Sequence, residues 1–195
     1  MSKKSLQIQR KKKYFIDSAI HIIKHEGVSN LTAKKVAELA GYASGTLYNY
    51  FKNLNELLFY CVEEFFSECM EYVLTEHEKC KTAEEKVVRT SIAYSHYFTS
   101  NPHIFQVVFL EDMGDPPAEI SGGGHYLPEI VKLSINNLHE CVKEGVIREV
   151  DVEMKQRIIS NTVHANILFY IKQRQVMSQV EVLEKIKSEI TYILN

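Results

Sequence analysis

The sequence predicts an all-α protein: an N-terminal three-helix domain carrying a helix-turn-helix, followed by a C-terminal helical bundle, about nine helices in total. Three observations carry this. Apolar residues recur every three or four positions along most of the chain, the period of a helix with one buried face. Gly27, Gly41, Asn101-Pro102 and Gly145 interrupt that period where helices should stop. Residues 32–51, TAKKVAELAGYASGTLYNYF, hold two short apolar-faced segments joined at a glycine.

Composition suits a soluble globule. The 195 residues are 45% hydrophobic and 25% charged, enough to bury a substantial core as one large domain or two small ones. No apolar run approaches the roughly 20 residues a membrane span needs. The N-terminus, MSKKSLQIQRKKK, is basic but lacks a signal peptide's apolar segment and cleavage site. A cytoplasmic protein with no membrane partner is expected. Its net charge of −2 hides a division. Residues 1–55 carry 10 Lys/Arg against 3 Asp/Glu, a net +7, and residues 56–195 carry 13 against 22, a net −9. A nucleic-acid-binding head on an acidic body shows this asymmetry; a solubilising basic tail is the plainer reading. Cys61, Cys69, Cys80 and Cys141 form no CxxC pair and read as buried free thiols rather than redox sensors. Asn30-Leu31-Thr32 is a glycosylation sequon without meaning in the cytoplasm.

The first helix is expected over roughly 10–26, after a mobile start at 1–9, with Phe15, Ala19, Ile22 and Ile23 as its core stripe. Arg10, Lys11, Lys12 and Lys13 lead into it and are placed to reach phosphates or the minor groove. His21 and His25 have the i, i+4 spacing of chelators, but with no third ligand they read as an exposed face and no metal is expected. Thr32 is a good N-cap for the next helix, where Val36, Ala37, Leu39 and Ala40 form the apolar face. Gly41 ends it by accepting the left-handed turn. In the following short helix Leu47, Tyr50 and Phe51 are spaced for burial, while Ser44, Gly45, Thr46, Tyr48 and Asn49 face the other way. In a helix-turn-helix the second helix enters the major groove and the first crosses the backbone. Lys34 and Lys35 on the first are therefore candidate phosphate contacts. Ser44 and Thr46 suit base readout, Gly45 admits a close backbone approach, and Asn49 can pair with adenine. For Tyr50 two readings stay open, contact with DNA or burial beneath the motif.

The run Gly27, Leu31, Thr32, Val36, Ala37, Ala40-Gly41, Gly45-Thr46-Leu47-Tyr48, Tyr50-Phe51 and Glu56-Leu57 resembles the TetR family of bacterial repressors. The signature covers about the first 58 residues; beyond it the chain resembles the family only in length and helical character. The resemblance implies that Tyr48 and Tyr50 contact phosphate or base. The candidate DNA-binding set is thus Thr32, Lys34, Lys35, Ser44, Gly45, Thr46, Tyr48, Asn49, Tyr50 and Lys52. Two positions depart from the pattern. Ala43 stands where the family often has a capping Ser, so that Ser44 takes over or the helix starts differently. Leu54 stands where the family usually has a phosphate-binding Lys, for which Lys52 is the candidate substitute.

Asn53 caps a long helix, roughly 54–79, with Leu54, Leu58, Cys61, Phe65, Cys69 and Val73 as its main stripe and Leu57, Val62, Phe66 and Met70 widening it. Two domains are expected, 1–53 for DNA binding, with a basic arm at 1–13, and 54–195 for ligand binding and dimerisation. Thr82 starts a helix that Asn101-Pro102 ends. A short helix follows over 103–110. GDPP and SGGG then bracket a loop at about 112–125, read as mobile rather than as a gate, and SGGG lacks the pattern of a phosphate loop. Pro128 opens a helix to about Glu144, capped by Gly145, and two more follow at about 151–175 and 179–193.

The resemblance implies that the last two helices pair with their copies in a homodimer, matching a palindromic operator of double-stranded DNA. Candidate interface residues are Ile159, Val163, Ile167, Tyr170, Ile186 and Ile190; ordinary intrachain core is the other reading of each. It also implies a small-molecule cavity in the body. Tyr94, Phe98, Phe105, Phe109, His164 and Phe169 are the candidate lining, an apolar set with few polar tips, and would read the same as core. The function expected is a ligand-responsive transcriptional repressor released by a small hydrophobic or aromatic inducer. An enzyme is not expected: there is no G-x-S-x-G, HExxH or Walker loop, and no cofactor is called for. The alternative is an all-helical small-molecule-binding or scaffold protein with a degenerate DNA-binding head.

Overall fold

The computed structural model describes residues 3–117, 120 and 129–195. Among the described residues there is no strand. Nine α-helices lie among the described residues: α1 Lys3–Glu26, α2 Ala33–Leu39, α3 Ser44–Leu47, α4 Leu54–His77, α5 Ala83–Ser100, α6 Pro102–Leu110, α7 Glu129–Lys143, α8 Val152–Ile171 and α9 Gln179–Leu194. Single 3-10 turns cover Val28–Asn30 and Glu149–Asp151.

The ends follow local chemistry. Thr32 accepts the backbone N–H of Lys35 and Thr82 that of Glu85, each at 3.2 Å, and Ser178 with Glu181 forms a full capping box. Asn53 Oδ1 accepts the N–H of Glu56 at 2.8 Å, while the Glu56 carboxylate accepts the N–H of Lys52 at 2.6 Å. Gly41 turns the chain with φ +78°. Gly27, at φ +83°, ends α1 where a Cβ would meet the His103 ring at 3.0 Å, so both backbone and space demand glycine there. Two expected ends shift by a turn or more. α1 starts at Lys3 instead of near Arg10, because Ser5 to Gln9 contain no helix breaker and are mostly good helix formers. α8 stops at Ile171, four residues early, where Gln173 takes φ +49°. The expected start at Pro128 and the SGGG segment lie outside the described residues; residues 112–117 are non-helical as expected.

The chain packs as two units. The first comprises Met1–Phe66 and His103–Tyr126, the second Ser67–Pro102 and Leu127–Asn195. The packing division thus runs through α4 rather than at residue 53. The first half of α4 is held to α1: Lys13 pairs with Glu64 at 3.0 Å and Lys12 lies over the Phe51 and Tyr60 rings at 5.6 and 5.0 Å. The core of the first unit is Phe15, Ala19, Ile22, Ile23, Val36, Ala37, Leu47, Phe51, Leu57, Cys61 and Phe65, all essentially inaccessible. Phe15 stands at its centre, against Tyr42 at 5.2 Å, Tyr50 at 5.7 Å and Phe51 at 6.3 Å.

In the second unit α5 packs against α7, α8 and α9, and α8 also against α7 and α9. Polar side chains join the helices. His77 Nε2 lies 3.1 Å from Asn137 Oδ1, Lys86 pairs with Glu140 at 2.6 Å, and Glu144 accepts the N–H of Ala83, a first-turn donor of α5, at 3.0 Å.

Candidate functional site

In the first unit the exposed side of the helix-turn-helix carries most of the predicted set. α3 is a single turn, but its spiral continues: Asn49, Tyr50 and Phe51 donate backbone N–H groups to Thr46 and Leu47 at 2.9–3.2 Å. This extended turn drives Leu47 and Phe51 into the core and turns Ser44, Gly45, Tyr48 and Asn49 to solvent. Tyr48 is 55% exposed, unusual for a tyrosine with no partner to cover it. Gly45 is not required by the fold: its φ is not positive and a Cβ there would meet nothing within 4 Å. Ala43 occupies the cap position without a side-chain bond, and Ser44 is the first helical residue, so the helix start is uncapped. Lys34 and Lys52 are exposed.

Other predicted residues are committed inside the unit. Tyr50 is half-buried against Phe15. Lys35 is paired with Glu26, and Thr32 caps α2. Leu39, expected in the apolar face, is 52% exposed because α2 ends there and its last turn lies beyond the packing face. The basic cluster is partly folded back: Lys11 covers the Tyr42 ring at 5.9 Å, Lys12 the Phe51 and Tyr60 rings, and Lys13 joins Asp17 and Glu64. His21 and His25 stack at 4.5 Å, and no cluster of three metal-ligating side chains occurs among the described residues.

In the second unit a cavity of about 70 Å³ lies between α5, α7 and α8. Ile130, Val131, Leu133, Ile159 and Val163 give it apolar walls; Thr90, Ser91, Tyr94, Ser134, Gln156, Ser160 and His164 supply polar atoms. Tyr94 and His164 therefore line it as expected. Their side chains meet, Oη to Nε2, at 2.9 Å. His164 Nδ1 lies 2.7 Å from the Ser160 carbonyl and must donate to it, which leaves Nε2 to accept the Tyr94 proton. Burial pushes the His164 pKa below its ordinary value, against the Ser160 carbonyl, which raises it. The other four expected lining residues are corrected. Phe98 is fully buried and packs on Tyr94 from outside the cavity. Phe105 and Phe109 stack on each other at 4.9 Å in the first unit. Phe169 faces away from the cavity and is 43% exposed.

Of the expected interface residues, Ile159, Val163, Ile167, Ile186 and Ile190 are buried within the single chain and Tyr170 is half-buried. They contribute to the packing of α8 and α9 within the unit. The exposed apolar residues of these helices are others: Met154, Ile158, Ala165 and Phe169 on α8, Val180 and Tyr192 on α9. Ile158, Thr162, Ala165, Phe169, Tyr192 and Ile193 line a groove between the two helices. A signal for this was in the sequence. α8 has apolar residues on two sides, Ile159 with Val163 and Ile158 with Ala165 and Phe169, too many for a single buried stripe.

The four cysteines are free, and burial raises the pKa of every thiol, that of Cys69 to about 12 and that of Cys141 to about 11. That leaves little thiolate near neutral pH.

Residues 15–61, which span α2, α3 and their packing partners, match the profile of the bacterial regulatory proteins of the tetR family. Residues 15–61 thus form a TetR-family DNA-binding domain. It is 27% identical over 176 residues to the fatty acid metabolism regulator protein of Bacillus subtilis (strain 168), covering 86% of this chain and 88% of that protein. Among solved structures it is similar to the transcriptional regulator FadR of Bacillus subtilis in complex with stearoyl-CoA, with a TM-score of 0.69, 23% identity, and coverage of 91% of this chain and 96% of that one. The fatty acid degradation regulator FadR of Bacillus halodurans gives a TM-score of 0.69 at 19% identity, over 92% and 94% of the two chains. Its head is thus a TetR-family helix-turn-helix domain, and its all-α fold is that of the transcriptional regulators it resembles. Among the described residues no helix is long and apolar enough to cross a membrane.

Proposed function

We propose that this regulator is a cytoplasmic repressor that binds a palindromic operator as a homodimer and is released by a small hydrophobic ligand. The observation that carries DNA reading is the outward face of Ser44, Gly45, Tyr48 and Asn49 with Lys34 and Lys52 beside it. This is a polar and basic surface around a glycine that nothing inside the chain requires. Ser44 and Asn49 suit base edges, and the lysines suit phosphates. The uncovered apolar residues of α8 and α9 support dimerisation, since a stripe of this kind on a helix pair matches its own copy across a two-fold axis. That symmetry calls for an operator of two half-sites.

The cavity beside Tyr94 and His164 is the candidate effector site. Five apolar side chains form part of its walls, and the names of the relatives point to fatty acid metabolism. At about 70 Å³ it holds only about two water-sized groups, so a longer ligand would enter by displacing the helices around it. A ligand that binds the opened body better shifts the population away from the DNA-competent shape. The alternative, a helical ligand-binding protein with a degenerate head, shares this cavity and differs only in the head.

Selection from random duplex DNA at about physiological salt decides between them. Recovery of a palindrome whose capture is lost in Tyr48→Ala supports the repressor. Weak, sequence-blind binding that survives Tyr48→Ala rejects it.

A further inference from the structure

The cavity in the second unit has a donor and acceptor pattern that selects among hydrophobic ligands. Among the described residues no Lys, Arg, Asp or Glu lines it. Its α5 wall has its protons committed elsewhere. Thr90 Oγ1 donates to the Lys86 carbonyl at 2.7 Å, Ser91 Oγ to that of Val87 at 2.8 Å, and Tyr94 Oη to His164 Nε2 at 2.9 Å. Each of these oxygens can only accept from a ligand. Across the cavity, on α8, Gln156 accepts the Ser134 hydroxyl on Oε1 at 2.6 Å, which leaves its amide N–H groups as donors. One wall thus accepts and the facing wall donates, with no fixed charge between them.

We infer that this cavity takes an uncharged ligand whose polar end both donates and accepts, a hydroxyl on an apolar body, and that it rejects carboxylates. The inference rests on the cavity being the effector site and adds the chemical class. A hydroxyl donates to the α5 oxygens and accepts from Gln156, so both walls are satisfied. A carboxylate meets lone pairs on α5 and no cation anywhere, and its desolvation goes uncompensated. The His164 imidazole supplies no charge either: Nδ1–H is held by the Ser160 carbonyl, Nε2 by Tyr94, and burial lowers its pKa. An ester or thioester accepts from Gln156 but leaves the α5 oxygens without a donor, and ranks between the two.

The test titrates the full-length protein with 1-octanol, methyl heptanoate and octanoate, three probes of equal carbon number, by calorimetry at pH 7.5. Two variants accompany the wild type. Leu133→Trp fills the cavity from its wall. Gln156→Lys, at a half-exposed position that tolerates a long side chain, places a cation in it. The expected result is that 1-octanol binds at least about tenfold tighter than octanoate, that methyl heptanoate falls between, and that Leu133→Trp abolishes binding. Gln156→Lys should reverse the order of alcohol and acid. If octanoate binds as tightly as 1-octanol and Leu133→Trp removes both, the effector site stands and the inference about its chemistry is overturned. If no probe binds, or binding ignores Leu133→Trp, the cavity is not the effector site and both readings fall.

Discussion

The two units present opposite kinds of surface. Around α2 and α3 the first unit buries its large apolar side chains under Phe15 and shows serine, glycine, asparagine and lysine, with Tyr48 and Leu39 the main apolar exceptions. Along α8 and α9 the second unit does the reverse. It buries Asn137, Asn166, Thr90, Ser95 and Thr99 and leaves Ile158, Phe169, Val180 and Tyr192 in solvent, the last at 84% exposure. A polar, basic face suits a partner already hydrated and charged, such as a phosphate backbone. An apolar face suits a partner that leaves water on contact, such as a second copy. The difference teaches that the two units expose surfaces of separable chemistry, one sensitive to salt and the other to burial.

The largest expected effect tests whether the head is a unit of its own. Phe15→Ala removes the ring on which Tyr42, Tyr50 and Phe51 converge, at a cost of about 3–5 kcal/mol. Operator capture should disappear while 1-octanol binding to the body persists; loss of both would show that the two surfaces do not depend on separate cores. The next effect separates the two apolar faces of α8. Ile167→Ala should lower stability by about 2–5 kcal/mol, seen in urea midpoints. Phe169→Asp should leave the single chain's folding nearly unchanged and shift sedimentation from dimer to monomer. If Ile167→Ala dissociates the dimer and Phe169→Asp does not, the division of the helix is wrong.

A smaller effect is expected at the polar face. Tyr48→Ala should weaken operator binding by roughly tenfold, about 1–2 kcal/mol, with no change in melting temperature, since the ring touches solvent instead of core. A shifted melting temperature would return Tyr48 to the interior. The smallest effect is a pH dependence confined to the body. The folded His164 pKa lies below its ordinary value near 6.5, so the unfolded chain binds the proton first as pH falls. Its contribution to stability is therefore present above about pH 6.5 and declines as pH drops toward the folded pKa. His164→Gln should flatten this part of a stability–pH curve measured by thermal melts. An equal slope in wild type and variant would remove His164 from the titration.

The head was more legible than the body. Its signature is short-range: a capping Thr32, a turning Gly41, and Leu47 and Phe51 one helical turn apart, so local spacing places each side chain on its face. Tyr50 kept two readings because its burial depends on Phe15, thirty-five positions away. In the body, helix periodicity located α5, α7, α8 and α9 to within a few residues yet could not tell their faces apart. α8 shows why. At 3.6 residues per turn, Ile159 and Val163, then Gln156, Ser160 and His164, then Ile158, Ala165 and Phe169 fall on three different sides of one helix. Two of those sides are apolar, and no pattern in the helix says which one meets α5 and α9.

Residue order by itself determined the family of the head, the helices with most of their caps, the outward polar face of the reading turn, and the pairing of a basic head with an acidic body. Each rests on neighbours within one or two turns or on simple charge counts. Only the tertiary structure decided that Ile159, Val163, Ile167, Ile186 and Ile190 form intrachain core, that Phe169 and Tyr192 stay in solvent, and that Tyr94 and His164 share a cavity. These depend on which face of one helix packs against which of another. Burial is non-directional and nearly blind to residue identity among Ile, Val, Leu and Phe, so similar apolar stripes become core, cavity wall or interface according to what the fold brings beside them.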